Sequence, residues 1–359
     1  MNSTDEYKIQ MPIYESLAQR LQGLLQDLAK TNEIEIHAIE ARAKTLESFT
    51  EKISRPGKTY ENPLQDITDL CGVRVILYYQ EDVHRLSEII REEFEVDDKR
   101  SVDKRTELRS DQFGYISVHI ICKIKDNRST LPEWRKYKDL HAEIQVRTVL
   151  QHAWASISHA LQYKSKSVIP EQFTRQLTRI AGLLELSDEQ FSNLKEKTTV
   201  LRTEVSKSLA NSDLKVEINS VSLEQFLSTS SLVINIENYA RVAGFDTMEI
   251  LNTNQLTATI LNTDQLTATC NAFEILKLSD LSALLDAFLS YAPSFFKIFR
   301  KTRKGPCSGD RDHWTAIAVV AMKSGSEKEK FIVDAGIWSH DYLADLLRAA
   351  KQAHIKPFP

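Results

Sequence analysis

The chain has 359 residues, of which 42% are hydrophobic and 27% charged, with a formal net charge of −4 from 46 basic and 50 acidic side chains. That length fills two ordinary domains, and the charge balance excludes a polycation that coats nucleic acid, so any anion-binding surface must be local. The cysteines, Cys71, Cys122, Cys270 and Cys307, are far apart and form no CxxC pair. This argues against a disulfide framework and for a reducing, cytoplasmic setting. The polar start MNSTDEYKIQ lacks a signal peptide's apolar core, and no run of about 18 apolar residues is present to cross a membrane.

In chain order, Ile13, Leu17, Leu21, Leu24, Leu25 and Leu28 recur at helical spacing over residues 13–29. A second helix is expected from about Glu33 to Ile53, followed by the breaker-rich loop RPGKTYENP. VRVILYY (73–79), SVHIICKI (117–124) and LHAEIQV (140–146) predict strands, and VHRLSEIIREEF (83–94) a surface helix. Helices are expected over 148–164 and from Gln172 to Leu209. The alternation predicts an α/β (α+β) fold in which helices flank a mixed sheet. The polar stretch SKSLANSDLK suggests a boundary, giving a domain over 1–165, a helical connector over 166–210 and a smaller C-terminal α+β module over 211–359.

In that module VSLEQFL and SLVINIENYARVAGF predict two short helices. ILNTNQLTAT (250–259) is followed at once by ILNTDQLTAT (260–269), a local duplication read as an extended loop, since two copies are too few for a solenoid. LSALLDAFL (281–289) predicts a helix, TAIAVVAM (315–322) and FIVDAG (331–336) a β-hairpin, and 341–352 a closing helix. FFKIFRKTRK (295–304) reads as an amphipathic helix with a solvated basic face rather than a phosphate stripe. Cys307, His313 and His340 match no standard zinc spacing.

Three clusters carry candidate chemistry. Asp69 lies just before the first predicted strand and Glu143 within the last. Two such acids suit Mg²⁺, which takes one or two carboxylates and completes its shell with water and phosphate. Glu143, Gln145 and Arg147 alternate on one strand face, which is hard to place in an apolar core and so should line a polar cleft. His152 follows on the next helix. In FGYISVH (113–119) a glycine precedes Tyr115, whose ring could stack on a purine. Arg42, Lys44, Ser48 and Lys52 supply cations and a hydroxyl for a polyphosphate, while GxxxxGK[ST] is absent.

ITDLCGVRVI, FGYISVH and HAEIQVRTVLQHAWASISH occur together and in order, and over roughly residues 35–165 the chain resembles the synthetase domain of RelA/SpoT proteins and small alarmone synthetases. The resemblance implies a nucleotidyltransferase-like sheet and transfer of the β,γ-pyrophosphate of ATP to a ribose 3′-hydroxyl. It implies Asp69 and Glu143 as Mg²⁺ ligands, Glu143 assisting deprotonation, and Arg147 beside them in the catalytic group. Arg42, Lys44, Ser48, Lys52 and Arg74 would bind ATP. Tyr115, His119, Gln145 and His152 would face the acceptor. Two departures matter: Ile116 stands where the family's GYRS has arginine, and DKRSVDKRTELRSDQ lacks the Lys-Asp-Tyr…Pro-Lys pattern of guanosine-specific members. With about 150 further residues, this layout resembles the fused toxic CapRel type. The expected acceptor is then the tRNA 3′ CCA end, with a C-terminal module that restrains the enzyme until a phage protein is sensed. The alternatives are a (p)ppGpp synthetase acting on GDP or GTP, and a non-catalytic nucleotide-binding regulator.

Overall fold

The computed structural model describes residues 2–57, 59–103, 117–164, 171–247, 263–303, 308–323, 333–334 and 336–358. It divides into two compact units, Met1–Lys195 and Glu196–Pro359.

The first unit opens with a 29-residue helix, α1 (Ser3–Thr31), capped by the Asn2 side chain on the Asp5 amide. Strand β1 (Ile36–Ala43), α2 (Leu46–Ile53), the short α3 (Pro63–Asp66), β2 (Cys71–Leu77) and α4 (Gln80–Glu93) follow. Next come β3 (Phe94–Val96), β4 (Val102–Asp103), β5 (Val118–Ile124), the short α5 (Asp126–Ser129), β6 (Ala142–Thr148), α6 (Val149–Lys164) and the 40-residue α7 (Glu171–Ala210). The sheet runs β1-β2-β6-β5-β3, with β4 also paired to β5. It is mixed: β2 and β6 are parallel, and the other pairs antiparallel. The expected mixed sheet flanked by helices is therefore present.

Alternation within the strands sorts their side chains between two environments. Val73, Val75, Ile144 and Val146 face a core shared with Leu17, Leu21 and Leu25 of α1 and Leu86 and Ile90 of α4. The residues between them carry polar groups to the opposite face. Leu21 is 1% exposed, so Leu21→Ala should destabilise this unit by about 2–5 kcal/mol. A lower urea midpoint is expected, and an unchanged one would mean that α1 does not close this core.

The helix expected from Glu33 to Ile53 is corrected. Residues Ile36–Ala43 are an edge strand, and only Leu46–Ile53 are helical. Ala, Glu and Arg favour helix in isolation, but antiparallel pairing with β2 overrides that preference.

The second unit holds α8 (Ser220–Thr229), α9 (Ser231–Val242), β7 (Asp246–Thr247), α10 (Thr263–Ala272), α11 (Leu278–Leu289), α12 (Ala292–Thr302), β8 (Ser308–Gly309), α13 (Arg311–Met322) and α14 (His340–Gln352). Its described strands form one short parallel ladder, Asp246–Thr247 against Ser308–Gly309. The expected hairpin is overturned. Residues 315–322 belong to α13, whose N-terminus is capped by Asp310 on the His313 amide, and every residue from His313 to Met322 is buried. A short apolar run reads equally as a buried strand or a buried helix, and its cap at Asp310 extends the run to helical length. Val333 and Asp334 sit in a helical turn.

Of the duplicated decapeptides, residues 250–262 lie outside the described residues, and the rest of the second copy is helical in α10 rather than extended. Phe295, Phe296 and Phe299 of α12 are buried, and Arg300 donates to the Gly244 carbonyl, so this basic run is an amphipathic helix with a packed apolar face. Cys71, Cys122 and Cys270 are free and buried, and Cys307 lies outside the described residues. Among the described residues no helix is long and apolar enough to cross a membrane.

Candidate active site

The strand register sets the site. Glu40 pairs with Arg74, Arg74 with Gln145, and Gln145 with His119, so one polar row crosses four strands. The next row runs from Arg42 through Gly72 to Glu143. Gly72 has no side chain, so the floor between Arg42 and Glu143 stays open. A cleft of about 360 Å³ opens there, lined by Glu40, Ala41, Arg42, Lys44, Asp69, Gly72, Val73, Arg74, Glu143 and Gln145. Both candidate carboxylates thus face one cavity.

Asp69 is held by two ammonium groups: Lys44 Nζ lies 2.7 Å from Oδ2 and Lys52 Nζ 2.9 Å from Oδ1. Each lysine comes from a different element. Lys44 follows β1, where its amide donates to the Leu70 carbonyl and its own carbonyl accepts from Tyr7 Oη on α1. Lys52 projects from the last turn of α2. Burial alone would raise the Asp69 carboxyl, but the bonds and charges of Lys44 and Lys52 outweigh it and hold the group below the usual carboxylate range. The side chain is therefore ionised at neutral pH.

Glu143 is oriented by His119, whose Nδ1 lies 2.7 Å from Glu143 Oε1. Arg74 donates to Glu40 Oε2 at 2.7 Å, and its buried Nε has no hydrogen-bond partner among the described residues. Arg147 is 3% exposed, donates to Gln145 Oε1 and is not among the residues that line the cleft. His152, half-buried on α6, is pushed below its usual range by burial and then by the nearby Arg74 charge. It is a neutral imidazole near neutral pH.

Two expected residues fall elsewhere. Ser48 is exposed and does not line the cleft; its amide donates to Thr45 Oγ1 and its hydroxyl accepts from the Thr45 hydroxyl at the start of α2. Tyr115, with Ile116, lies outside the described residues. Sequence reasoning missed Glu40, because its segment was read as helix and its position opposite Arg74 follows only from the β1–β2 ladder.

The donor set fits Mg²⁺. Asp69 and Glu143 offer hard carboxylate oxygens in one cleft. No group of three or more His, Cys, Asp or Glu side chains gathers to hold a metal among the described residues. An ion bound here would draw its remaining ligands from substrate phosphate and water, as Mg²⁺ does. Two carboxylates ringed by Arg42, Lys44, Lys52 and Arg74 have the composition of a metal-polyphosphate site.

Comparison with known proteins agrees with this composition. Residues 41–168 match the family described as "Region found in RelA / SpoT proteins", so this stretch of the chain is a RelA/SpoT-family domain. GTP pyrophosphokinase YwaC of Bacillus subtilis (strain 168) is 28% identical over 165 residues, covering 45% of this chain and 75% of that protein. GTP pyrophosphokinase YjbM of the same organism is 28% identical over 162 residues, covering 45% of this chain and 72% of that protein. The solved structure of a GTP pyrophosphokinase family protein from Streptococcus pneumoniae is 25% identical, with a TM-score of 0.45, covering 54% of this chain and 94% of the other.

Proposed function

We propose that the first unit is a pyrophosphokinase that moves the β,γ-pyrophosphate of ATP to the ribose 3′-hydroxyl of a guanine nucleotide, GDP or GTP. The observation that carries the reading is the shared cleft: Asp69 clasped by Lys44 and Lys52 on one side, and Glu143 oriented by His119 on the other. The names of the two Bacillus relatives support the guanine acceptor.

In this scheme Arg42, Lys44, Lys52 and Arg74 take the polyphosphate through charge-assisted bonds. Asp69 and Glu143 would hold Mg²⁺, which when bound neutralises the triphosphate. Glu143, kept in orientation by His119, accepts the proton of the 3′-hydroxyl. The 3′-oxygen bonds to the β-phosphorus, the bond from that phosphorus to the α,β-bridging oxygen breaks, and AMP leaves with that oxygen. Gln145 and His152, neutral at working pH, are read as hydrogen-bonding the acceptor, and Tyr115 as stacking on its base. Arg147 acts by holding Gln145. Alignment of the two nucleotides and fixed positive charge supply most of the acceleration.

A second acceptor, the tRNA 3′ end, is favoured by one observation: Ile116 and the preceding stretch depart from the pattern of guanosine-specific members. ATP labelled at the γ-phosphate, incubated with the protein and GDP, GTP or tRNA, separates the two readings. Label in GDP or GTP is expected, and label confined to tRNA would replace the guanine acceptor. Residues 211–359 fall within the second compact unit, and by layout alone they are read as a module that restrains the enzyme, with a phage protein as the trigger. A chain ended near residue 205 should then slow bacterial growth more than the full chain, and equal harmlessness of the two would count against restraint.

A further inference from the structure

Asp188 lies on α7, 40 residues beyond Thr148, and is 2% exposed. Its Oδ2 accepts a hydrogen bond of 2.7 Å from Thr148 Oγ1. Thr148 is the last residue of β6, directly after Arg147, and is itself 0% exposed. Every bond of that hydroxyl is directed. Thr148 Oγ1 accepts from the Gln151 amide at 3.1 Å, while Gln151 Oε1 accepts from the Thr148 amide at 2.9 Å. This reciprocal pair is a capping box at the start of α6, the helix that carries His152. The second partner of Asp188 is the Gln80 side chain, at the start of α4 and three residues past the end of β2.

Asp188 therefore joins the C-terminal ends of the two parallel strands, whose last register pair is Leu77 with Thr148. Those strands carry Arg74, Glu143, Gln145 and Arg147. The join is costly. Both partners are neutral, and burial pushes the Asp188 carboxyl up to about 6, so near neutral pH the fold keeps a buried carboxylate without a cation among its named partners. Seven residues on, Lys195 of the same helix donates to Asp82 at 2.7 Å and covers the Tyr79 ring at 4.4 Å, gripping the same β2–α4 turn.

We infer that Asp188 is a positioning residue for pyrophosphate transfer: through Thr148 and Gln80 it fixes the ends of β6 and β2, and with them Arg147, Gln145 and Arg74. The reaction then depends on α7, a helix that lines no part of the cleft. This inference rests on the pyrophosphokinase reading.

The test is steady-state kinetics and thermal unfolding of the full chain with Asp188→Ala, Asp188→Asn and Thr148→Val. Asp188→Ala should remain folded, keep its KM for ATP within about threefold and lose about 10- to 100-fold in kcat, the effect of a small misplacement at a reacting centre. Asp188→Asn, which keeps an acceptor for Thr148 Oγ1, should stay within about threefold of the unmodified protein. Thr148→Val removes the other end of the bond and should show the same kcat loss, which decides the matter should Asp188→Ala fail to fold. A folded Asp188→Ala or Thr148→Val with undiminished kcat, or an Asn variant as slow as the Ala variant, overturns the inference. Absence of turnover in the unmodified protein would instead remove the pyrophosphokinase reading beneath it.

Discussion

Glu143→Gln should slow pyrophosphate transfer by about 10²–10⁴-fold, the range for loss of a positioned general base. The substitution is nearly isosteric. Glu143 sits mid-strand in β6, paired with Gly72 and Ile121 on its two sides, so the ladder does not depend on its charge. His119 Nδ1 can still donate to the amide oxygen. What is lost is the proton acceptor for the 3′-hydroxyl and one of the two carboxylates assigned to the metal. Circular dichroism and the unfolding midpoint should match the unmodified protein while kcat collapses. A Gln variant with near-normal turnover would mean that the proton goes elsewhere, and with it the assignment of Glu143 would fall.

Asp69→Asn should have a comparable effect on activity, about 10²-fold or more, and should also lower stability. The carboxylate takes hydrogen bonds from two lysines, and bonds to a charged group contribute about 1.5–3 kcal/mol each, reduced here because both lysines reach water. A neutral amide leaves two ammonium groups facing each other without an anion between them. A net loss of about 1–3 kcal/mol is expected. The pH dependence has a defined sign. Because the folded state lowers the Asp69 pKa, its contribution is fully present above the ordinary aspartate value of about 4 and is lost as pH falls through the lowered value. The stability difference between the unmodified protein and Asp69→Asn, read from urea unfolding, should therefore be constant from pH 5 to 8 and shrink below pH 4. A difference that grew on acidification would contradict the lysine clasp.

Much of this site is legible in local sequence because its residues sit on one strand face. Glu143, Gln145 and Arg147 alternate, and period two alone separates them from Ile144 and Val146, which face the core. The cations were legible as residue types but not as positions. Arg42 and Lys44 read as part of a helix, whereas the antiparallel pairing of β1 with β2 is what brings Lys44 to Asp69 and Arg42 into the same cleft. Nothing local distinguishes an Ala-rich edge strand from a helix when its stability comes from a neighbour 30 residues away. Glu40 was hidden for the same reason. Asp188 was hidden by distance, since its meaning depends on Thr148 and Gln80, brought together only by the packing of α7. In α13 the difficulty was period rather than distance. TAIAVVAM is apolar at every position, so it lacks the contrast that tells helix from strand, and only the cap at Asp310 signals where the helix begins.

The measurement that tests the central claim most directly is the fate of ATP. With Mg²⁺ and an acceptor present, the unmodified protein should convert ATP to AMP, one for one with acceptor carrying a new 3′-diphosphate, and Glu143→Gln should slow the formation of both products by the same large factor. Release of ADP, or unchanged ATP with GDP, GTP and tRNA all supplied, would contradict the account.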